Sequence, residues 1–453
     1  MDFEQLSLFT LEEYQSKLLV SKQSEYLQVE GEIPTDLPDN SLISIKRKAP
    51  LKIYSLGFQP AKFIPEIPRW FLKKYAILPY TVLEPFSGSG TTLIESLLYG
   101  ASVFWLDYQP LSRLICQVKT TEVDLSLLLK SGYSLLTKAR TQTLAPTTIS
   151  FANKDFWFQK PVQEGLEILR AFILECEAAF HSVLWLVFSL TVRKVSDMNE
   201  GMILAARRSS FKAILPKSRE DVFQNFLMYL EKTIEALKEW KTLRFKSTGK
   251  AVELSSQDAR FIEGNWKCDA VITSPPYINA IDYVWASKFE LHWLGLINSD
   301  QDRLDLYSQE IGTERISRQE YQELGKTNID ILDHLILDIY TGKFYQASKG
   351  QNQLRARVVF KYFTDMKTHL IQSFSKLKPG GYYCFTVGDV SKICGVEIPL
   401  ASLLTQIAVD IGFNFDFQFN LLLKNRKLNL PRNVDWAGTI KHDTVVVLQK
   451  PVK

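Results

Sequence analysis

From Thr81 onward the apolar and polar positions fall into short, regular blocks. Thr81-Val-Leu-Glu-Pro-Phe86 is an apolar run of strand length. Ser87-Gly-Ser-Gly90 follows as a tight turn, residues 91–99 carry a helical pattern, and Gly100 closes it. Residues 102–107 form a second buried strand. Strand, glycine turn, helix and strand make one unit of a parallel α/β sheet. From about 124 to 250 the periodicity is helical, with apolar runs at 165–192 and 222–240. Strand patterns resume at 251–255 and 269–274, and a second, polar helical stretch fills 298–355. Met366, Leu370, Ile371, Phe374 and Leu377 share one face of a helix, and Lys378-Pro-Gly-Gly381 reads as a turn. A strand at 382–387 and a helix at 398–411 come next, and runs at 413–421 and 444–448 predict an antiparallel pair at the sheet edge. Four parts result: an N-terminal extension 1–50 with a short helix near 11–19, a main α/β domain formed by 51–123 and 251–450, a helical insert 124–250, and a second helical insert 298–355.

Composition narrows this little. The 453 residues are 46% hydrophobic and 23% charged, as in ordinary globular proteins. A net charge of +4 sets up no whole-protein field, so any surface for a polyanion is local. Cys116, Cys176, Cys268, Cys384 and Cys394 form no C-x-x-C pair and no zinc spacing, which predicts reduced thiols in a cytoplasmic protein and no metal. The run 178–192 is shorter than the about 20 residues a bilayer requires and contains His181, so it reads as a buried helix. The N-terminus lacks the basic and apolar regions of a signal peptide.

Three clusters carry candidate chemistry. Gly88 and Gly90 would let a ligand approach bare backbone, and Asp107, ending the next strand, could grip ribose hydroxyls. Nicotinamide dinucleotides use the same logic, but Leu93 stands where their third glycine belongs. Glu84 at the strand tip suits an ammonium group better than a pyrophosphate. The second cluster is Thr273-Ser-Pro-Pro-Tyr277. Its prolines cannot continue a central strand and fix a rigid loop at the strand's carboxyl end. Ser274 Oγ and the Pro275 carbonyl are acceptors there, and Tyr277 can stack on a planar base. The third is the stretch 193–219, where seven basic residues, Arg193, Lys194, Arg207, Arg208 and Lys212 among them, face two acidic ones. It is either a solvated face or a phosphate-binding surface.

Leu83-Glu-Pro-Phe-Ser-Gly-Ser-Gly-Thr-Thr92 resembles the cofactor motif of the DNA amino-methyltransferases, which modify cytosine N4 or adenine N6, and Thr273–Tyr277 resembles their catalytic motif. Gly57-Phe-Gln-Pro-Ala-Lys-Phe-Ile-Pro65 is similar to their segment closing over the methionine end of the cofactor. The resemblance covers roughly 50–125 and 250–450. It implies a Rossmann-like class I methyltransferase sheet with an antiparallel last strand, plus helical inserts, and S-adenosylmethionine as cofactor. It implies that Phe58, Ala61, Lys62, Phe63, Glu84, Pro85, Phe86, Ser87, Gly88, Ser89, Gly90, Thr91, Thr92, Asp107 and Asp258 bind that cofactor, with Asp258 at its adenine. Ser274, Pro275, Pro276 and Tyr277 would be catalytic, and Arg193, Lys194, Arg207, Arg208 and Lys212 would hold double-stranded DNA. A cognate restriction endonuclease is a conceivable partner; a membrane is not. Serine before Pro-Pro-Tyr points to cytosine N4, with adenine N6 as the alternative and RNA amino-methylation or an inactive DNA-binding subunit as rivals. Glu84 departs from the more usual aspartate, and the long insert between the second and third strands departs from the usual motif spacing. No cysteine follows a proline, which argues against attack on a ring carbon.

Overall fold

The computed structural model describes residues 25–453 except 144, 146, 200, 207–213, 279–280, 349 and 423–441. The main sheet has nine strands: β1 (Tyr26–Glu30), β2 (Ser41–Lys46), β3 (Thr81–Glu84), β4 (Ser102–Trp105), β5 (Ala251–Glu253), β6 (Cys268–Thr273), β7 (Leu377–Gly388), β10 (Asn414–Leu422) and β11 (His442–Gln449). β8 (Val390–Ile393) and β9 (Val396–Pro399) form a separate hairpin. The sheet order is β1-β2-β10-β11-β7-β6-β3-β4-β5. β5, β4, β3, β6 and β7 run parallel, and β11 is antiparallel to both its neighbours. This is the Rossmann-like sheet with a reversed last strand.

Side-chain alternation along the central strands divides the core in two. Val82, Val103, Ala270 and Ile272 face one cluster, while Leu83, Val271, Tyr383 and Phe385 face the other. The first cluster is shared with the helices of the long insert: α4 (Leu125–Thr141), α5 (Lys160–Glu175), α6 (His181–Val195) and α7 (Arg219–Arg244). Their apolar faces therefore complete the main core rather than a separate one. Gly132 on α4 lets α7 come close, since a Cβ there would lie 2.2 Å from Leu230 Cδ2. The apolar segment Ala178–Val195 has the length and composition of a membrane span, yet Leu184, Leu186, Val187 and Phe188 are fully buried in this core. The second cluster is covered by α8 (Asp330–Thr341), α9 (Gln351–Lys376) and α10 (Leu400–Ile411).

Several boundaries differ from the sequence reading. The N-terminal extension is part of the sheet: β2 pairs in parallel with β10 through Phe419↔Ser41, Asn420↔Leu42 and Leu421↔Ile43. The β10–β11 antiparallel pair forms as expected but lies inside the sheet, because β2 covers β10. The helix predicted from the apolar face Met366 to Leu377 begins at Gln351, inside the stretch assigned to the second insert. The Lys378–Gly381 turn is instead absorbed into the start of β7, with a register shift against β6 between Cys268 and Ala270. The helix expected near 11–19 lies outside the described residues.

Candidate active site

Two adjacent strand ends build the site. β3 and β6 pair through Val82↔Ala270 and Leu83↔Val271, so Glu84 and Thr273 emerge side by side. Thr273 Oγ1 donates to Glu84 Oε1, which also accepts the Phe86 N–H at 3.0 Å. The glycine turn and the Ser-Pro-Pro-Tyr loop thus share one hydrogen-bonded carboxylate. Glu84 is 2% exposed, and it forms no ion pair with any described lysine or arginine. Burial pushes its carboxyl up to about 7, against the bonds from Thr273 and Phe86.

The turn after β3 is held on every side. Ser87 Oγ donates to the Leu106 carbonyl at 2.8 Å and Gly90 N–H to the Ser87 carbonyl at 2.7 Å. Gly90 has φ of 77°, a left-handed conformation that glycine adopts without strain, and it caps α2 (Thr91–Tyr99). Asp107 accepts the Gly88 N–H at 2.7 Å and the Gln109 N–H at 2.9 Å. Burial raises its carboxyl to about 6. From below, Lys119 on α3 (Pro110–Thr120) donates to the Ser89 carbonyl at 2.7 Å. Lys119 is 1% exposed, and burial, with Lys62 nearby, lowers its ammonium to about 7. The segment before β3 reaches the same turn: Thr91 Oγ1 donates to the Phe63 carbonyl at 3.1 Å. Lys62 is tied back to the Tyr54 carbonyl at 2.9 Å.

The Ser-Pro-Pro-Tyr loop is equally fixed. Ser274 Oγ donates to the Thr386 carbonyl at 3.3 Å, which leaves its lone pairs as acceptors. Tyr362 on α9, fully buried, donates to the Pro276 carbonyl at 3.0 Å. Tyr277 donates its hydroxyl to Asp443 on β11 at 2.8 Å, so the ring is anchored at its far end.

Other expected residues sit differently. Both oxygens of Asp258 are engaged by Arg260, at 3.0 and 2.6 Å, and Arg260 also reaches Asp365 at 3.1 Å and the Ser308 carbonyl at 2.7 Å. Arg193, expected at phosphate, is 14% exposed and spends both terminal nitrogens on protein acceptors. Lys194 beside it is exposed. Arg207, Arg208 and Lys212 lie outside the described residues.

Sequence reasoning missed Glu310. It is 4% exposed, accepts from Tyr108 Oη at 3.0 Å and the Tyr283 N–H at 3.1 Å, and burial raises its carboxyl to about 8. Tyr108 directly follows Asp107, so Glu310 brings the second insert against the end of β4. Lys119 and Asp443 were also missed as supports of the two loops. A lysine amid the apolar positions of α3 was the one readable signal among them.

No profile of a known protein family matches the chain. The chain is 23% identical over 407 residues to the Type II methyltransferase M.MvaI of Kocuria varians, covering 83% of this chain and 85% of that protein. It is 23% identical over 415 residues to the Type II methyltransferase M.BsoBI of Geobacillus stearothermophilus, covering 82% and 80%. A shorter match, 32% over 155 residues, links 33% of the chain to 31% of the Type II methyltransferase M.AvaI of Nostoc sp.. A solved SAM-dependent methyltransferase from Methanosarcina mazei aligns over 84% of this chain and 98% of that one at 8% identity, with a TM-score of 0.29 that is too low to bear on the fold. With a reversed-strand sheet and two loops joined at Glu84, the chain is homologous over about four fifths of its length to the Type II methyltransferases M.MvaI and M.BsoBI.

Proposed function

We propose that the protein transfers a methyl group from S-adenosylmethionine to cytosine N4 of a base flipped out of double-stranded DNA. The observation that carries the reading is the hydrogen bond between Thr273 and Glu84, which joins a candidate cofactor turn to a candidate amine-binding loop. S-adenosylmethionine supplies an activated methyl group on a sulfonium. The chain's residues fit this donor. Glu84 is a buried carboxylate without a basic partner among the described residues, the environment that an ammonium group completes. Gly88 and Gly90 leave the turn without side chains, and Asp107 lies beside it for the ribose hydroxyls.

The exocyclic amine is a poor nucleophile because its lone pair is delocalised into the ring. Ser274 Oγ and the Pro275 carbonyl accept its two hydrogens and turn the lone pair out of conjugation. The carbonyl of Pro276 is already taken by Tyr362, which holds the loop for this task. Tyr277, anchored through Asp443, stacks on the base. The sulfur–methyl bond would break as the nitrogen–methyl bond forms, leaving S-adenosylhomocysteine as a neutral thioether; the methylated, cationic amine would then lose a proton to water, no covalent enzyme intermediate is needed, and alignment supplies much of the acceleration. A flipped base needs its backbone held, and the basic residues of 193–219 beyond Arg193 are the candidates. Serine ahead of Pro-Pro-Tyr supports cytosine N4.

The test is transfer of labelled methyl groups to DNA and to RNA, with Ser274→Ala and Tyr277→Ala in parallel. Label in DNA is expected, with each variant slowing transfer more than it weakens cofactor binding. Label in RNA alone overturns the reading.

A further inference from the structure

Four chain segments meet at Arg193. It lies in the last turn of α6, with its side chain 14% exposed. Nη1 donates to the Ala286 carbonyl at 3.1 Å and to Glu290 Oε1 at 3.2 Å. Nη2 donates to the carbonyls of Met202 at 3.1 Å and Ile203 at 2.9 Å. The guanidinium carbon sits 3.3 Å from the centroid of the Phe58 ring. Such a seat needs a planar cation with forked donors, which arginine provides and lysine does not. A guanidinium that met phosphate would keep its fork for the ligand; this one is spent inside the protein.

The partners are informative. Phe58 belongs to the segment that reaches the glycine turn through Phe63 and Thr91. Ala286 and Glu290 lie in the short helices Tyr283–Ala286 and Lys288–Trp293, just after the Ser-Pro-Pro-Tyr loop. Met202 and Ile203 lead along the sequence to Arg207 and Arg208. A cavity of about 470 Å³ is lined by Phe58, Arg193, Met202 and Tyr229. Arg193 therefore stacks on the Phe58 ring beside a cavity and not in a close-packed core.

We propose that Arg193 is a positioning residue of the methyltransferase: it seats Phe58 over the methionine end of the cofactor and fixes the helices after the catalytic loop against it. This rests on the reading above, so the experiment separates the two. Binding of S-adenosylhomocysteine is measured by calorimetry without DNA, steady-state rates with DNA, and DNA affinity across a salt series. Arg193→Lys keeps the charge and loses the flat face and the fork. It is expected to raise the dissociation constant of S-adenosylhomocysteine and the KM for the cofactor about tenfold, with kcat at saturation changed less than about threefold. The slope of log DNA affinity against log salt stays as in the wild type. Unchanged cofactor affinity in a folded Arg193→Lys overturns the proposal, and a slope lowered by about one unit in Arg193→Gln, which removes the charge, would then reassign Arg193 to phosphate. If Arg193→Lys does not fold, Glu290→Gln removes the anchoring charge and keeps the shape; it is expected to raise the cofactor KM by a smaller factor with kcat retained, and no rise overturns the proposal. Wild-type protein that leaves DNA unmethylated, with S-adenosylhomocysteine binding still weakened by Arg193→Lys, would defeat the DNA reading and leave the positioning role standing.

Discussion

Thr273 Oγ1 donates to the carboxylate of Glu84, a bond that favours the ionised form of a group that burial drives toward the protonated one. Burial holds Glu84 at about 7, well above an ordinary carboxyl. An ammonium ligand needs the ionised form. Cofactor affinity should therefore fall as pH drops below about 7, by up to about tenfold per unit, and level off above it. Glu84→Gln should bind weakly and lose this dependence. Thr273→Val removes a bond that favours the charged form, so the midpoint should move up. Calorimetric titration with S-adenosylhomocysteine across pH checks all three.

Asp107 closes the turn through two backbone N–H groups, so its removal acts on the turn as well as on a ligand. Asp107→Ala is expected to cost about 1–3 kcal/mol of cofactor binding and to destabilise the free protein, because buried donors lose their acceptor. Calorimetry and urea unfolding of the same preparation separate the two effects. Unchanged values in both would remove Asp107 from the site.

Glu310 makes stability depend on pH with a definite sign. Its carboxyl is raised by burial to about 8, so the folded state holds its proton more tightly than the unfolded chain does. Its contribution is full below the ordinary carboxyl value and is lost as pH rises through about 8. Glu310→Gln should keep the acceptor for Tyr108 and flatten the fall in stability between about pH 5 and 8. Urea midpoints at the two ends of that range test it.

Gly132 tests whether the long insert is integral to the fold. A methyl group there would meet Leu230 at 2.2 Å. Gly132→Ala should destabilise the whole protein by about 1–3 kcal/mol through overpacking. A single cooperative transition moved to lower urea is expected, whereas an unshifted main transition would mean that the insert melts on its own.

The strands, the glycine turn and the Ser-Pro-Pro-Tyr loop were legible because each rests on local rules: short, almost continuously buried apolar runs in β3 and β6, bare backbone at Gly88 and Gly90, and prolines that stop a strand. The position of β1 and β2 was not. Ser41-Leu-Ile-Ser-Ile-Lys46 is a plain short strand, and its partner β10 lies more than 370 residues away, a pairing without local signature. Glu310 was hidden for the same reason, since Tyr108 is 202 residues distant and only the fold makes that carboxyl a buried one. The enclosure of Arg193 was not legible, because charge along a sequence does not reveal which guanidinium is enclosed by carbonyls.

The most direct measurement methylates unmodified double-stranded DNA with labelled S-adenosylmethionine, digests it to nucleosides and separates them by mass spectrometry. The account predicts label in N4-methylcytosine, abolished in Ser274→Ala. Label in N6-methyladenine alone would contradict the cytosine assignment drawn from Ser274 and leave amine transfer intact. Label in 5-methylcytosine would contradict the account itself, because Cys116, Cys268, Cys384 and Cys394 are buried and Cys176 lies on the long insert, so no thiol of the chain stands in the Ser274–Tyr277 loop for attack on a ring carbon.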